Sequence, residues 1–535
     1  MNKLLDSLKQ EQNSQRTVTA KGAGAHATMV TGTNDAEHVL DFYANVGANR
    51  GNAQRSHQAW LKALAGHPLL AVRALFYLRD PRGGVGERDL FRYFFMQLAE
   101  QNDAMAASLV RHIPEFGRWD DLTMFFSDKS FAACPLTTNA AVSLATTQLA
   151  EDMQSALNGE AVSLCAKWMP SWKTSSKATR TKAVWFAGRL GMSLGKYNRT
   201  LVTLRQAIRI IETKISNGEW SNVDYNTIPA KAHMIYKDAF MRHDSERYSA
   251  WLASLSNPDS GNSIKATSLM AYEFAAKYGV SSGWSFHIPK YDATLEAQWE
   301  QLIADALVDL DDMDEELNAL CCVDNSGSMY SAGYHGGNSL DSNMSPATIG
   351  NSIALYIASV VQGPFHNVYM TFDDDAKIKF LPDSNLKDKL NHLFGEVWKG
   401  GTTNVQSAYM TLLRHAVKND VPEKDMPNVI VILSDMQFDS VGYGRNRAKT
   451  IMEDMREKYA NAGYKLPVVV YWNLNGYAKT HPVKADEHGT ITISGFNQAI
   501  GNSFLKMDLP KLQSMTPLTE MIDRLTSPRY SVINI

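Results

Sequence analysis

The stretch "ALCCVDNSGSMY", residues 319 to 330, runs a short apolar segment directly into an Asp, two Ser and a Gly. An apolar run of this length, bounded by turn-forming residues, is typical of a buried strand. Similar runs follow it, and patterns typical of helices separate them: "HNVYMTF" (366–372), "NVIVILS" (428–434) and "LPVVVYWNL" (466–474). Buried strands that alternate with helices predict a doubly wound, mostly parallel sheet.

Weaker patterns complete this C-terminal half. "AKIKFL" (376–381) and "GTITISG" (489–495) predict two further strands, and a closing helix is expected near 516–526. Ser345 followed by Pro346 is a favourable helix start, because Ser caps the first turn and Pro fits within it. The final residues are expected to return as an edge strand. We therefore predict an α/β domain over residues 315–535.

The N-terminal half has a different pattern. Between about residues 35 and 300, apolar residues recur three and four apart, and Gly or Pro interrupts them about every dozen residues. This pattern predicts short helices in antiparallel pairs, as in a HEAT-like α-solenoid, although no fixed repeat period is visible. We predict a helical repeat domain over residues 35–304, preceded by an N-terminal extension over residues 1–34. The acidic stretch 305–317 is expected to be a solvated helix or linker.

Composition limits the class of protein. The 535 residues are 44 % hydrophobic and carry a formal net charge of -3, so any anion-binding surface must be local. The four cysteines show neither CxxC spacing nor a nearby His cluster, which argues against a zinc site or a disulfide scaffold. No long apolar segment indicates a signal peptide or a membrane span. A cytoplasmic protein is expected.

Three predicted loops at the carboxyl edge of the sheet carry oxygen ligands. The first offers Asp324, Ser326 and Ser328, the second offers Thr402, and the third offers Asp435 directly after a strand. Carboxylates and hydroxyls are hard ligands that suit Mg²⁺, or alternatively Mn²⁺. Two carboxylates leave such an ion partly uncompensated, so it would seek an outside acidic ligand. The sequence therefore predicts half of a coordination sphere.

Other interpretations of these loops stay open. Ser and Gly after a strand also make ordinary turns, and Asp324 could simply cap a helix. Thr403 competes with Thr402 as a ligand. Because Thr403 stands three residues before Gln406, it could instead begin a capping box.

A second candidate site is a basic segment in the helical half. Residues 161–210 contain ten Lys or Arg and no Asp or Glu. Basic side chains interleaved with aromatic ones can neutralise phosphates and stack on unpaired bases, although a solvated helix face with Trp in the core is the alternative. The candidate RNA-binding residues are Lys167, Lys173, Lys177, Arg180, Lys182, Lys196, Arg199 and Arg205, among Trp168, Trp172, Trp185 and Tyr197.

A glycine-rich stretch, "FYLRDPRGGVGERDLFRYFF" (76–95), could cradle a phosphate. No strand precedes it, however, and the Lys-Ser/Thr ending of a P-loop is missing. A tight turn between two helices is the favoured interpretation.

The three loops together resemble a von Willebrand factor A domain with its metal-ion-dependent adhesion site (MIDAS), over about residues 315–535. That resemblance implies that Ser326, Ser328 and Thr402 ligate the ion directly. It implies that Asp324 and Asp435 act largely through water.

A longer ordered set of segments resembles proteins that join a TROVE module to a von Willebrand factor A domain. These proteins are relatives of the Ro autoantigen, and the resemblance covers nearly the whole chain from about residue 20. The segments are "LRDPRGGVGERDLF", "IPEFGRWDDL", "KWMPSW", "YNRTLVTLR", "NTIPAKAHMIYKDAFMRHD", "VDNSGSM" and "LSDMQFD". The resemblance implies a ring of HEAT-like helical repeats closed by the A domain. It also implies binding of single-stranded RNA ends or structured small non-coding RNA in a ribonucleoprotein.

Three functions follow as hypotheses. The leading one is a non-catalytic RNA-binding scaffold whose A domain carries a divalent ion. The second is an interaction module in which the metal captures an acidic residue of a protein partner. The third is a metal-dependent nuclease or phosphotransferase, for which "FDDDAK" (372–377) would have to supply further carboxylates. Such an acidic run after a strand is more often a solvated turn, so no enzymatic activity is expected.

Overall fold

The computed structural model describes most of the chain, and the predicted N-terminal extension, residues 1–34, lies outside the described residues. The described ranges are 35–208, 210–280, 288, 290–308, 310, 317–330, 344–395, 401–438, 451–476 and 482–535. They fall into two compact units. The α/β unit takes its described residues from 1–74, 82–85 and 265–526, and the helical unit takes its own from 75–81, 86–264 and 527–535.

This division differs from the predicted boundary between residues 304 and 315. Residues 35–74 and 265–304 were expected in the helical domain, and they belong to the α/β unit. The helix Asp35–Val46 illustrates the reason, because the Tyr43 hydroxyl donates a hydrogen bond to Glu520 (3.0 Å) within that unit. Helical periodicity indicates that a face is buried, but it does not identify the partner that covers this face.

A six-stranded sheet forms the centre of the α/β unit. Its strands are β1 (Ala319–Asp324), β2 (Val368–Phe372), β3 (Ala376–Phe380), β4 (Val429–Ser434), β5 (Val468–Asn473) and β6 (Thr490–Ser494). Their order is β3-β2-β1-β4-β5-β6, and every neighbouring pair is parallel except the β2–β3 hairpin. The prediction of a mostly parallel sheet with these strands is confirmed.

Burial explains why these strands could be recognised in the sequence as apolar runs. Every residue of β1, β2, β4, β5 and β6 is buried, as expected for parallel strands covered on both faces. The edge strand β3 is only partly buried, and there Lys377 and Lys379 alternate with the buried Ile378. Polar and apolar residues also alternate in β6 at the other end of the sheet, but there all five residues are buried.

Helices surround this sheet within the α/β unit. The helix Pro346–Val360 is buried along its whole length, and Ser345 caps it by accepting a hydrogen bond from the Thr348 N–H (3.2 Å), as predicted. The other helices that lie wholly in this unit are Asp35–Val46, His57–Gly66, Ala271–Lys277, Ala293–Val308, Leu386–Gly395, Val405–Lys418, Ile451–Asn461, Ala499–Leu505, Leu509–Ser514 and Pro517–Thr526.

The helical unit contains no strand among its described residues. Its helices are Arg88–Gln101, Asp103–Leu109, Ile113–Phe116, Asp128–Ala133, Pro135–Leu157, Cys165–Trp168, Lys177–Arg189, Leu194–Ile208, Ile211–Ser216, Ala230–His243, Ser245–Ser254 and Pro528–Ser531. The prediction that the chain has a largely helical region and an α/β region is thus confirmed. Among the described residues, none of the helices combines the length and the apolarity that crossing a membrane requires.

The glycine-rich stretch and the C-terminal residues were both given a structure from the sequence, and one of these two predictions is confirmed. The glycine-rich stretch links the helices Pro68–Arg79 and Arg88–Gln101 by a turn, which confirms the favoured interpretation. The predicted edge strand at the C-terminus is wrong, because the chain there forms the helices Pro517–Thr526 and Pro528–Ser531. Each of these helices begins with Pro, which is well suited to the first turn of a helix and poorly suited to a strand.

Candidate functional site

The order of the strands creates a crevice at the centre of the sheet. β1 lies between β2 and β4, so the connections leaving the sheet run to opposite sides at this point. In open α/β sheets, ligands bind outside the carboxyl ends of the strands at such a switch point. β1 ends at Asp324, and β4 ends at Ser434, directly before Asp435. Two of the predicted loops therefore meet at the position that the fold favours for a ligand.

Asp324 is fully buried at this position. Its Oδ1 accepts a hydrogen bond from the Ser326 N–H (2.9 Å), and its Oδ2 accepts one from the Ser434 hydroxyl (2.5 Å). Ser326 is itself only 2 % exposed, and its Oγ lies 3.2 Å from the Oγ of Ser328. The alternate spacing of the first loop thus gathers a carboxylate and two hydroxyls.

Asp435 is also fully buried. Its Oδ1 accepts a hydrogen bond from the Gln437 N–H (3.2 Å). The next residue, Met436, has a left-handed backbone (φ 63°), and its N–H donates to the Ser434 hydroxyl (3.0 Å). A non-glycine residue in this region costs about 1–3 kcal/mol, and such strain clusters at functional sites.

The two carboxylates lie close enough to affect each other. Burial, followed by the negative charge of Asp435, raises the pKa of Asp324 to about 7. Among the described residues, no Lys or Arg forms an ion pair with Asp324. A buried carboxylate that faces a like charge is stabilised by a cation.

Thr402 lies in a loop that contacts the β2–β3 hairpin. Both its N–H and its hydroxyl donate to Oδ1 of Asp374, each at 2.9 Å. The hairpin follows β2, which pairs with β1 up to the level of Asp324, so this loop lies on the β2 side of the same sheet edge. "FDDDAK" is a hairpin turn with Asp374 and Asp375 exposed, as favoured from the sequence.

Thr403 does not cap the helix that follows. The cap of Val405–Lys418 is Asn404, whose Oδ1 accepts a hydrogen bond from the Ser407 N–H (3.2 Å). Thr403 is 6 % exposed, whereas Thr402 is partly exposed. The capping-box interpretation of Thr403 is therefore wrong, because the helix begins one residue later than that interpretation requires.

The donor set fits a hard divalent cation. Within the described ranges, no group of three or more His, Cys, Asp or Glu side chains is arranged to hold a metal ion. The candidate site has only two buried carboxylates, and its remaining oxygens belong to hydroxyls. Mg²⁺ commonly binds through one or two carboxylates and retains several waters, so this set is compatible with it.

Half of the candidate RNA-binding residues serve contacts inside the helical unit. Arg205 donates to the backbone oxygens of Ala166 (2.9 Å) and Met169 (2.8 Å) and to the Ser171 hydroxyl (2.7 Å). Burial lowers the pKa of Arg205. The others are Lys167, which pairs with Glu212 (3.6 Å), Arg180, which donates to the Thr174 oxygen (2.6 Å), and Lys182, which contacts the Thr123 hydroxyl (3.4 Å).

The remaining candidates are Lys173, Lys177, Lys196 and Arg199, and all four are exposed. Within the described part of the chain, none of them takes part in an ion pair. Lys196 and Arg199 stand three residues apart on the helix Leu194–Ile208, and residues at that spacing share a face. These four side chains are the part of the basic segment that a polyanion could contact.

Of the aromatic residues in this segment, Tyr197 is buried, whereas Trp168, Trp172 and Trp185 are half-buried. Tyr197 is fully buried, and its hydroxyl donates to the Pro170 oxygen (2.8 Å). The indole of Trp185 donates to Asp128 (2.8 Å), and the guanidinium of Arg118 lies 4.3 Å from the ring centre of Trp168. Tyr197 therefore cannot stack on a base, and for this residue the core interpretation is correct.

Two residues that contact the site residues were not identified as part of the site from the sequence. Ser434 orients Asp324, and Asp374 holds Thr402. The first could have been found from the adjacent Ser434 and Asp435 at the end of a strand. The second lies in the run "FDDDAK", which was considered as a source of carboxylates, but such a run does not indicate that Asp374 pairs with Thr402.

Comparisons with known proteins match the chain without naming an activity. Residues 318–521 match the family model described as "Domain of unknown function (DUF7788)", and residues 192–309 match "Domain of unknown function (DUF2828)". An uncharacterized protein of Acanthamoeba polyphaga mimivirus is 25 % identical over 457 residues, which cover 80 % of this chain and 75 % of that protein. The resemblance to TROVE and von Willebrand factor A proteins stays a prediction. The chain is thus similar to two domain families of unknown function, one of which spans the sheet and its candidate site.

Proposed function

We propose that this protein is a non-enzymatic binding protein whose α/β unit holds a divalent cation at the switch point of its sheet. Asp324, Ser326, Ser328, Thr402 and Asp435 form the site, and Mg²⁺ is the ion, with Mn²⁺ as a substitute. The observation that carries this proposal is the burial of Asp324 beside Asp435 at the carboxyl ends of β1 and β4. The arrangement also supports a von Willebrand A-like assignment of the unit.

The chemistry of the site favours binding over hydrolysis. Two carboxylates and three hydroxyls are five side-chain ligands, so an octahedral Mg²⁺ keeps at least one position for water or for an outside carboxylate or phosphate oxygen. A two-metal hydrolytic site requires more acidic ligands. The exposed Asp374 is already held by Thr402. Single-stranded RNA incubated with the protein and Mg²⁺ should therefore remain intact, and its degradation would contradict the non-enzymatic assignment.

Titration calorimetry with MgCl₂ and MnCl₂ tests the cation site. Ser326→Ala should weaken binding by about tenfold or more, because one buried hydroxyl is lost from the set. Ser384→Ala is the matched control, since Ser384 is an exposed serine of the same unit that bonds Asp388 (2.7 Å). No heat of binding in the wild-type protein, or equal affinities for both variants, would overturn the proposal.

We further propose that the helical unit is the RNA-binding part of a ring-shaped, HEAT-like scaffold in the cytoplasm. The supporting observation is that Lys173, Lys177, Lys196 and Arg199 are exposed within a segment that contains no acidic residue. Single-stranded ends or structured small non-coding RNA are the expected ligands. The buried, unpaired state of all four cysteines is compatible with a reducing compartment.

Filter binding of single-stranded RNA at several salt concentrations tests this second proposal. Each lost phosphate contact lowers the slope of log affinity against log salt by about 0.7 for a single strand. The double variant Lys196→Ala/Arg199→Ala should therefore bind more weakly and with a smaller slope. Lys424→Ala/Lys465→Ala, which changes two exposed lysines of the α/β unit, should leave both quantities unchanged. Salt-independent affinity, or no affinity at low salt, would refute RNA binding.

The alternative is a metal-dependent module that captures an acidic residue of a protein partner. The incomplete donor set of the site favours this alternative for the α/β unit. RNA affinity of the Ser326→Ala variant separates the two roles. Unchanged RNA affinity together with lost Mg²⁺ binding would assign the cation to partner capture, whereas loss of both would assign it to the RNA complex.

A further inference from the structure

The acidic hairpin after β2 is fastened to the loop that carries Thr402. The carboxylate Oδ1 of Asp374 accepts both the N–H and the hydroxyl of Thr402 (2.9 Å each). The Asn404 N–H donates to the Asp373 oxygen (3.0 Å), and the Asn404 side-chain amide donates to the Asp374 oxygen (3.2 Å). Four hydrogen bonds therefore join two segments that lie about thirty residues apart in the chain.

Close packing confirms that the two segments fit each other. A Cβ atom added at Gly401 would lie 2.8 Å from the Cβ of Asp373, so only glycine allows this approach. The loop is thus held against the hairpin by shape as well as by hydrogen bonds.

The direction of the hydroxyl bond matters for a cation. Because the Thr402 hydroxyl donates its proton to Asp374, both lone pairs of its oxygen remain available to an ion. A carboxylate that accepts this proton also increases the electron density on the oxygen, as outer partners of metal ligands do. We propose that Asp374 is a positioning residue for the cation site, acting through Thr402. This inference rests on the cation site of the proposed function.

The hairpin offers its own control for simple charge attraction. Asp375 is exposed like Asp374 and carries the same charge. In the described structure its backbone N–H donates to Oδ1 of Asp373 (3.2 Å), and the Thr402 hydroxyl and N–H bond Asp374 rather than Asp375. If Asp374 acted only by attracting cations to the sheet edge, loss of Asp375 would weaken binding equally.

Calorimetric Mg²⁺ affinities of four proteins test the inference: wild type, Asp374→Ala, Asp374→Asn and Asp375→Ala. Asp374→Ala should weaken binding by about tenfold, the lower end of the range for outer partners of metal ligands. Asp374→Asn, which keeps an oxygen that can accept from Thr402, should recover part of that loss. Asp375→Ala should stay within about twofold of wild type. Equal losses for Asp374→Ala and Asp375→Ala would overturn the positioning role.

A double-mutant cycle identifies the residue through which Asp374 acts. If Thr402 transmits the effect, Asp374→Ala should cost little further affinity in a Thr402→Val background, while its full cost should persist in a Thr403→Val background. Additive losses with Thr402→Val would refute the inference. Melting temperatures of the metal-free variants, equal to that of wild type, exclude unfolding as the cause. Absence of Mg²⁺ binding in wild type would instead refute the proposed function itself.

Discussion

The buried carboxylate of Asp324 suits a cation, but its negative charge destabilises the folded protein when no cation is bound. The residue is fully buried, and burial together with the charge of Asp435 raises its pKa. A carboxyl group with a raised pKa in the folded state holds a proton that the unfolded chain releases. The free energy of unfolding therefore falls as the pH rises from the unfolded pKa, about 4, to the folded pKa, about 7. A bound cation would remove this penalty.

Asp324→Asn should consequently stabilise the metal-free protein at about pH 8, by up to about 4 kcal/mol for a shift of this size. The variant should also lose the fall in stability between about pH 5 and about pH 8. Thermal unfolding in EDTA at both pH values measures the effect, with the exposed Asp383→Asn as control. Added Mg²⁺ should raise the melting temperature of wild type and leave that of Asp324→Asn unchanged. A variant less stable than wild type at the higher pH would contradict this account.

Residue types at strand ends were predictable, whereas exposure was not. Asp324 and Asp435 could be predicted to lie near each other, because one ends and the other directly follows an apolar strand of one parallel sheet. Arg205 and Tyr197 read as an RNA surface, but both bond backbone oxygens of the segment 166–170. The identity of a basic or aromatic residue on a helix does not indicate whether its side chain faces solvent or packs against another segment. Only tertiary packing decides between the two.

At the scale of elements, the strands could be predicted from local sequence, whereas their order and some contacts at the helix ends could not. The buried runs that became β1, β2, β4 and β5 were visible because parallel strands covered on both faces must be continuously apolar. The order of the strands was not visible, since each run would fit any central position. The groups that cap the helices also include local residues, which were predictable, and distant residues, which were not. Ser345 is a local cap and was predicted, whereas the start of Leu386–Gly395 is held by the local cap Asn385 and also by a carboxylate from a distant helix.

That distant carboxylate belongs to Glu296, which is 2 % exposed on the helix Ala293–Val308. Its carboxylate accepts the backbone N–H groups of Leu386 (2.8 Å) and Lys387 (3.0 Å) at the start of the second helix. Glu296→Ala should leave these two donors without a partner, which costs about 1–3 kcal/mol for each buried group. Hydrogen exchange of peptides covering the start of Leu386–Gly395 should accelerate.

Glu300→Ala is the control for this capping bond, because Glu300 is exposed one turn later on the same helix. Its loss should change stability by about 0.5 kcal/mol or less. Equal exchange rates in the two variants would indicate that Glu296 contributes only its bulk and that the N–H groups find other partners.

At the scale of the whole molecule, neither unit is a continuous stretch of chain. The helical unit includes the last nine residues, 527–535, although the α/β unit occupies 265–526 before them. Sequence patterns divide a chain where composition changes, so they produce continuous domains. Membership of a distant segment depends on one or two specific contacts. Such contacts leave no periodic pattern in the sequence.

Asp80 supplies such a contact within the helical unit. It is fully buried, and its carboxylate accepts hydrogen bonds from Arg529 (2.8 Å) and from the Tyr530 hydroxyl (2.9 Å). The ring of Tyr530 also stacks on Phe116, with the ring centres 5.6 Å apart. The hydrogen bond to Asp80 raises the pKa of Arg529, as expected for a charge held by its partner. The C-terminal segment is therefore held by the ion pair between Asp80 and Arg529 and by the stacking of Tyr530 on Phe116.

Arg529→Ala should remove the guanidinium that is paired with the buried negative charge of Asp80, and breaking a buried ion pair costs about 3–5 kcal/mol. Hydrogen exchange should accelerate around Asp80 and Phe116 in the helical unit, and adding Asp80→Asn should restore part of the stability by removing that charge. Val532→Ala, which shortens a side chain that is 52 % exposed in the same segment, should have little effect. The fastening role depends on the charge, so a double variant less stable than Arg529→Ala alone would show that the segment is held by shape instead.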